Sequence, residues 1–155
     1  MAKEIERKFL VSSGNWRDDA DAGTDLRQAY VVTMEDRSVR VRILAGERAK
    51  LTVKIGKSAL VRDEFEYDLP LADALDLLSQ AVGLVIEKTR YRVPVGDFLW
   101  EIDVYRGELS GLVVAEVEMA SVDDDPAPPS WIGREVTGDR RYSNQFLALD
   151  GIPRA

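Results

Sequence analysis

The chain contains no cysteine and no histidine. Without cysteine there are no disulfides, thiolate nucleophiles or iron–sulfur ligands, and without histidine no imidazole can bind zinc or shuttle protons. Long apolar runs are missing too: none approaches the roughly 18 residues of a membrane span. No basic-then-apolar leader precedes the first charged motif, so a soluble, cytoplasmic protein with no membrane partner is expected. There is no repeat, heptad or low-complexity linker. A net charge of −7 lacks the clustered excess base that binding a nucleic-acid polymer draws on. Any catalysis is left to carboxylates, amines, phenols and hard metals bound by oxygen.

What is present suits one globular domain over residues 1–155, with 45% hydrophobic content and 32% charge of both signs interspersed. Period-two alternation dominates and predicts about eight strands. In the opening "EIERKFL", Glu4, Glu6 and Lys8 share one strand face, opposite Ile5 and Phe9. Val39 to Ile43 sets Arg40 and Arg42 against three branched apolar residues, and Leu51 to Ile55 repeats this with Thr52 and Lys54. Arg62 to Leu69 aligns Arg62, Glu64, Glu66 and Asp68, while Lys88 to Val93 aligns Lys88, Arg90 and Arg92. Trp100 to Val104 and Ala115 to Met119 present Glu101, Asp103, Glu116 and Glu118. Gln28 to Thr33 completes the set. The spacing of Leu71, Leu75, Leu78 and Val82 predicts a helix from Leu71 to Val82, between Pro70 and Gly83. A shorter helix is expected over Asn144 to Leu149, ending near Gly151, and a third turn from Ser12 or Ser13 as N-cap toward Trp16. The run from Asp123 to Pro129 reads as a rigid, solvated connection.

A single charged strand face is ordinary in a sheet that shows one side to water. Here nearly every polar position carries a formal charge, and the charges are sorted by strand into basic and acidic segments. If the sheet closes with these faces inward, the lumen is tolerable only when water and a ligand occupy it, because buried like charges cost several kcal/mol each. Converging carboxylates favour Mg2+ or Mn2+, and converging Arg and Lys favour phosphate oxygens. The combination reads as phosphoryl chemistry, which rests on positioning and charge neutralisation.

"EIERKFL" resembles the Glu-x-Glu-x-Lys signature of the CYTH superfamily, the triphosphate tunnel metalloenzymes. The resemblance continues through "RQAY", "VRVR", "TVK", "EKTRY", "EIDVY", "AEVEM" and "VTGDRRYSN", collinear over nearly the whole chain. It implies an α+β fold, a closed eight-stranded antiparallel β-barrel forming a tunnel, with a charged lumen and a few helices packed outside. It also implies a metal-dependent triphosphatase, most similar to the compact bacterial inorganic tripolyphosphatases. A cyclase, a thiamine triphosphatase or a noncatalytic binder of polyphosphate or nucleotide is the alternative. By position, Glu4, Glu6, Glu116 and Glu118 would ligate Mg2+ or Mn2+, with Asp103 and Glu64 or Glu66 as further ligands. Lys8, Arg40, Arg42, Lys54 and Arg90 would hold the phosphates, together with Arg62, Arg92 and Arg140. Lys88 and Tyr30 carry two readings each: an amine and a phenol that orient water or the leaving phosphate, or a tunnel-rim ion pair and a packed aromatic. "RQAY" has Ala where similar short members often have Gly, and Arg140 stands where Lys often precedes Arg-Tyr. Arginine keeps the charge but not a ready proton. Arg7 and Glu87 are expected on the outer face in surface pairs, and the assembly is expected to be a monomer or homodimer.

Overall fold

The alternation becomes nine strands in the computed structural model, which describes residues 2–56 and 61–154, for residues 2–4 the backbone alone. The strands are β1 (Ala2–Val11), β2 (Thr24–Thr33), β3 (Arg37–Leu44), β4 (Arg48–Gly56), β5 (Val61–Leu69), β6 (Ile86–Val95), β7 (Phe98–Tyr105), β8 (Val113–Glu118) and β9 (Ile132–Glu135). All pairings are antiparallel, in the order β5-β4-β3-β2-β6-β7-β8-β1, and β1 closes the ring by pairing its first residues with β5. The same strand then pairs with β9 through Phe9 and Val11. The result is a closed eight-stranded barrel with one added strand. Closure matters because it satisfies every sheet edge of the ring and gives the sheet a true inside.

Outside, aliphatic and aromatic residues form two separate clusters. Trp100 packs edge-on against Trp131, with ring centroids 5.7 Å apart, and lies 5.5 Å from Phe9. On the opposite flank Ala29, Val41, Ile43 and Ala49 pack under the helix α1 (Leu71–Leu78). This helix is shorter than its spacing predicted, and its buried face differs. Ala74 and Leu78 are buried, while Leu75 and Val82, expected on the core stripe, are exposed. Small Ala74 lets the helix approach the sheet, and the chain beyond Leu78 turns so that Val82 N–H can donate to the Tyr30 carbonyl.

The second helix, α2 (Asn144–Asp150), starts where Ser143 Oγ accepts from the Phe146 amide. It ends at Gly151, as expected from the sequence. Its Leu147 and Ala148 pack, with Tyr142, on Tyr30, Ile86, Tyr105 and Val114, which lie on the inward face of their strands. One part of the barrel interior is therefore apolar and covered by α2. Gly83 makes the approach possible: it has φ +78°, and a Cβ there would lie 2.3 Å from the Ala148 carbonyl oxygen.

The early turn is a 3-10 segment, Asn15–Asp19, capped by Gly14 without a side-chain bond, so neither Ser12 nor Ser13 is the N-cap. Its Trp16 is buried, as the turn's purpose requires. In the acidic loop Asp124 accepts from the amides of Ala120 and Ser121, which folds the connection onto itself. No helix among the described residues is long and apolar enough to cross a membrane.

Candidate active site in the barrel

The inward residues separate into three neighbourhoods. The first lies on the β6–β7 hairpin, whose register sets Arg90 opposite Asp103 and Arg92 opposite Glu101. Asp103 is buried, and Arg90 grips it with Nε at 2.8 Å and Nη2 at 2.9 Å, while Lys88 Nζ lies 2.6 Å from Oδ2. Lys88 is fully buried and sits 5.3 Å above the Tyr105 ring, whose hydroxyl donates to Asn144 Oδ1 at 2.5 Å. Burial would raise the Asp103 carboxyl, but Arg90 and Lys88 hold it well below the usual carboxylate range. Burial pushes the Lys88 ammonium down to about 7, against the attraction of Asp103. This neighbourhood is internally neutralised.

The second neighbourhood is cationic. Arg42 stands opposite Gln28 and Lys50 in the ladder, and Arg40 stands opposite Tyr30 and Thr52. Arg42 Nε donates to Gln28 Oε1 at 3.1 Å. Its guanidinium is pushed down to about 9 by burial and by repulsion from Arg40 and Arg90. Burial is the larger cause and the neighbouring guanidinium groups add to it.

The third neighbourhood joins β1 and β8, where Glu6 faces Glu118, Lys8 faces Glu116, and Glu101 of β7 faces Glu116 from the other side. Like charges directly opposite one another oppose strand pairing unless a cation lies between them. The Glu6 and Glu116 carboxyl groups are hydrogen-bonded to each other. Burial would raise Glu116, but Lys8 and Arg90 keep it well below its ordinary range. These are hard oxygen donors of the kind a divalent cation takes, so the set fits one. Among the described residues, however, no three carboxylates already converge as a closed cage.

A cavity of about 350 Å³ opens onto this interior, lined among others by Glu6, Lys8, Lys54, Arg62 and Arg140. Lys8 Nζ donates to the Tyr142 carbonyl at 3.2 Å, and Lys54 lies 3.6 Å from Glu64. Arg140 reaches the mouth from the segment before α2, 3.4 Å from Glu35 and 5.3 Å above the Phe146 ring.

Other residues singled out in the sequence sit elsewhere. Glu66 is exposed and accepts from Thr52 at 3.3 Å. Arg92 is exposed and lies 3.8 Å from Glu101. Both Asp103 oxygens are engaged by bases, and Tyr30 packs into the apolar cluster beneath α2. Lys88 forms an ion pair deep in the barrel and not at its rim. The Glu4 side chain lies outside the described residues; its backbone pairs with Arg62. Arg7 and Glu87 do face outward, Arg7 holding Glu135 at 2.8 Å and Glu87 lying 4.0 Å from Arg27. Sequence reasoning missed Gln28, Tyr105, Asn144 and the mouth residue Glu35. Gln28 was within reach, since alternation in "RQAY" places it on the face of Tyr30.

A closed antiparallel barrel whose inward face gathers cations beside paired carboxylates defines a class of charged-lumen tunnel. The CYTH domain model matches residues 2–145, and the chain belongs to that family. It is 43% identical over 148 residues to an inorganic triphosphatase of Acetivibrio thermocellus, covering 95% of this chain and 94% of the relative. An inorganic triphosphatase of Nitrosomonas europaea is 40% identical over 151 residues, covering 94% and 97%. A crystal structure of an inorganic triphosphatase superposes with a TM-score of 0.69 at 35% identity, covering 99% of each chain.

Proposed function

We propose that this chain hydrolyses triphosphates in the presence of a divalent cation, with inorganic tripolyphosphate as the preferred substrate, giving pyrophosphate and phosphate. The observation that carries the reading is the juxtaposition inside one barrel of buried Arg40 and half-buried Arg42 and Arg90 with a Glu6–Glu116 carboxyl pair. The high similarity to two inorganic triphosphatases over nearly the full length supports it.

Glu6, Glu116 and Glu118 would hold the cation, Mg2+ or Mn2+, with Glu4 from the same strand and Glu64 as the additional carboxylate nearest Lys54. A cation held there would neutralise charge on the phosphate oxygens and make water a better nucleophile. Lys8, Lys54, Arg62 and Arg140 line the entrance and draw the anion in; Arg40, Arg42 and Arg90 receive it deeper. Guanidinium groups fixed by the strands stabilise charge developing on the phosphoryl oxygens without reorganising. Water adds to the terminal phosphorus, the bridging P–O bond breaks, and pyrophosphate leaves with the electron pair. Lys88 titrates close to neutrality because of burial, which suits an amine that orients water or the departing oxygen. Tyr30 serves as a wall for this amine's chamber, and the working unit is a monomer or homodimer in the cytoplasm.

A phosphate-release panel with tripolyphosphate, thiamine triphosphate, ATP and pyrophosphate, each with and without Mg2+ or Mn2+, tests the reading. Metal-dependent release, fastest from tripolyphosphate, is expected. Binding without turnover would overturn it in favour of a polyphosphate sensor, and cyclic AMP from ATP would make the protein a cyclase. Within the panel, Glu116→Gln is expected to lower turnover by at least about a hundredfold through the metal, whereas Arg40→Ala chiefly weakens substrate binding.

A further inference from the structure

Gln28 is the one neutral amide side chain among the fully buried residues, 0% exposed on the inward face of β2. Its neighbours in the ladder are Arg42 on β3 and Ile86 on β6, while the adjacent Ala29 packs outward against α1. The side-chain oxygen accepts from Arg42 Nε at 3.1 Å. A guanidinium has donors only, so the amide must turn its oxygen toward Arg42 and its NH2 away from it. That NH2 is buried and has no hydrogen-bond partner. Leaving such a donor buried without an acceptor is costly, and buried polar groups of native proteins are almost always satisfied. An acceptor-rich group entering the arginine cluster would remove that cost.

We propose that Gln28 is a further substrate-contacting residue: its carboxamide oxygen locks Arg42 while its NH2 donates to a phosphoryl oxygen of the bound triphosphate. The inference rests on the reading of the lumen as a triphosphate site. Its chemical sense is selectivity. The neighbouring cations attract any anion, but a directed neutral donor adds a requirement for an acceptor at one position. A neutral amide also adds a bond without adding to the repulsion that already depresses Arg42.

The test separates the two ends of the amide. If Gln28 acts only by holding Arg42, replacing it has no effect on binding once Arg42 is also replaced; if the NH2 touches phosphate, the effect persists. Tripolyphosphate binding is measured by titration calorimetry in EDTA, with thermal melting to confirm folding. Gln28→Met is expected to raise Kd about tenfold, the loss of one bond to a charged group, both in the wild type and beside Arg42→Met, and that persistence is the supporting result. A folded Gln28→Met variant with unchanged Kd, or an effect that vanishes beside Arg42→Met, overturns the proposal. Wild-type protein that binds no tripolyphosphate in EDTA and releases no phosphate from it with Mg2+ or Mn2+ would instead defeat the triphosphate reading itself, and the proposal with it.

Discussion

Two walls of the same lumen treat positive charge in opposite ways. On β6 and β7, Lys88 and Arg90 close on Asp103, and Arg90 and Arg92 also approach Glu101, at 3.5 and 3.8 Å. On β2 and β3, Arg42 has an amide for a neighbour and is repelled by Arg40 and Arg90. The first wall fixes Lys88 and Arg90 through Asp103, since a buried charge is tolerable when paired and hydrogen-bonded. The second gathers Arg40 and Arg42 on one strand face, where burial and the repulsion of neighbouring guanidinium groups both lower Arg42. Under the proposed reading, loss of Asp103 is expected to tell mainly on stability and loss of Arg42 mainly on affinity, although the two lie in one lumen.

The largest effect expected is on the neutralised wall. Asp103→Ala strands two buried cations and is predicted to cost about 3–5 kcal/mol of folding stability, read from urea denaturation. A loss below 1 kcal/mol would erase the distinction between the walls. Next, Arg42→Met relieves repulsion while giving up one bond to Gln28, so its stability should change by no more than about 1 kcal/mol. Its tripolyphosphate Kd should nevertheless rise about a hundredfold, from the loss of a charge-assisted fork. Equal damage to stability and binding would mean that Arg42 belongs to the scaffold.

The pH response sharpens the contrast further. Asp103 and Glu116 are both held below their ordinary values of 3.8 and 4.5 in the folded protein. The unfolded chain therefore takes up these protons first as pH falls. Their stabilising contribution is complete above about pH 4.5 and is lost as the pH drops through the window below the ordinary values. Urea midpoints at pH 7, 5, 4 and 3 should fall over the last steps, and Asp103→Asn should flatten part of that fall. The smallest effect lies outside the lumen: Arg7→Ala removes a half-exposed pair with Glu135 and should cost about 0.5 kcal/mol, since solvent screens such pairs. Turnover in that variant should match the wild type within twofold, roughly the scatter of near-neutral surface changes. A large loss of activity would extend the site to the outer face.

Much of this was readable because strand alternation has a period of two, which sorts side chains by face without knowledge of the partner strand. Arg40 and Arg42 against Val41 and Ile43 needed nothing more. Helix α1 was read less well: leucine spacing pointed to Leu75 and Val82, whereas close approach to the sheet selects Ala74, a choice that depends on the surface beneath it. β9 is only four residues long and owes its place to β1, so it carries little signal of its own. The Arg90–Asp103 pair could have been found, because the tight Gly96-Asp97 turn fixes the hairpin register. The Glu6–Glu118 opposition could not, since more than a hundred residues separate the two strands.

Sequence alone determined that a charged face would point one way, that the available chemistry was carboxylate, amine and guanidinium, and that the family was one of triphosphate tunnels. Only the closed barrel decided which of those charges meet one another. The reason is geometric: cancellation depends on side chains meeting at hydrogen-bonding distance, and across distant strands that is set by ring closure and register. Two inward arginines with the same local pattern, Arg90 and Arg42, therefore end differently, one clasped by Asp103 and the other held by the oxygen of Gln28.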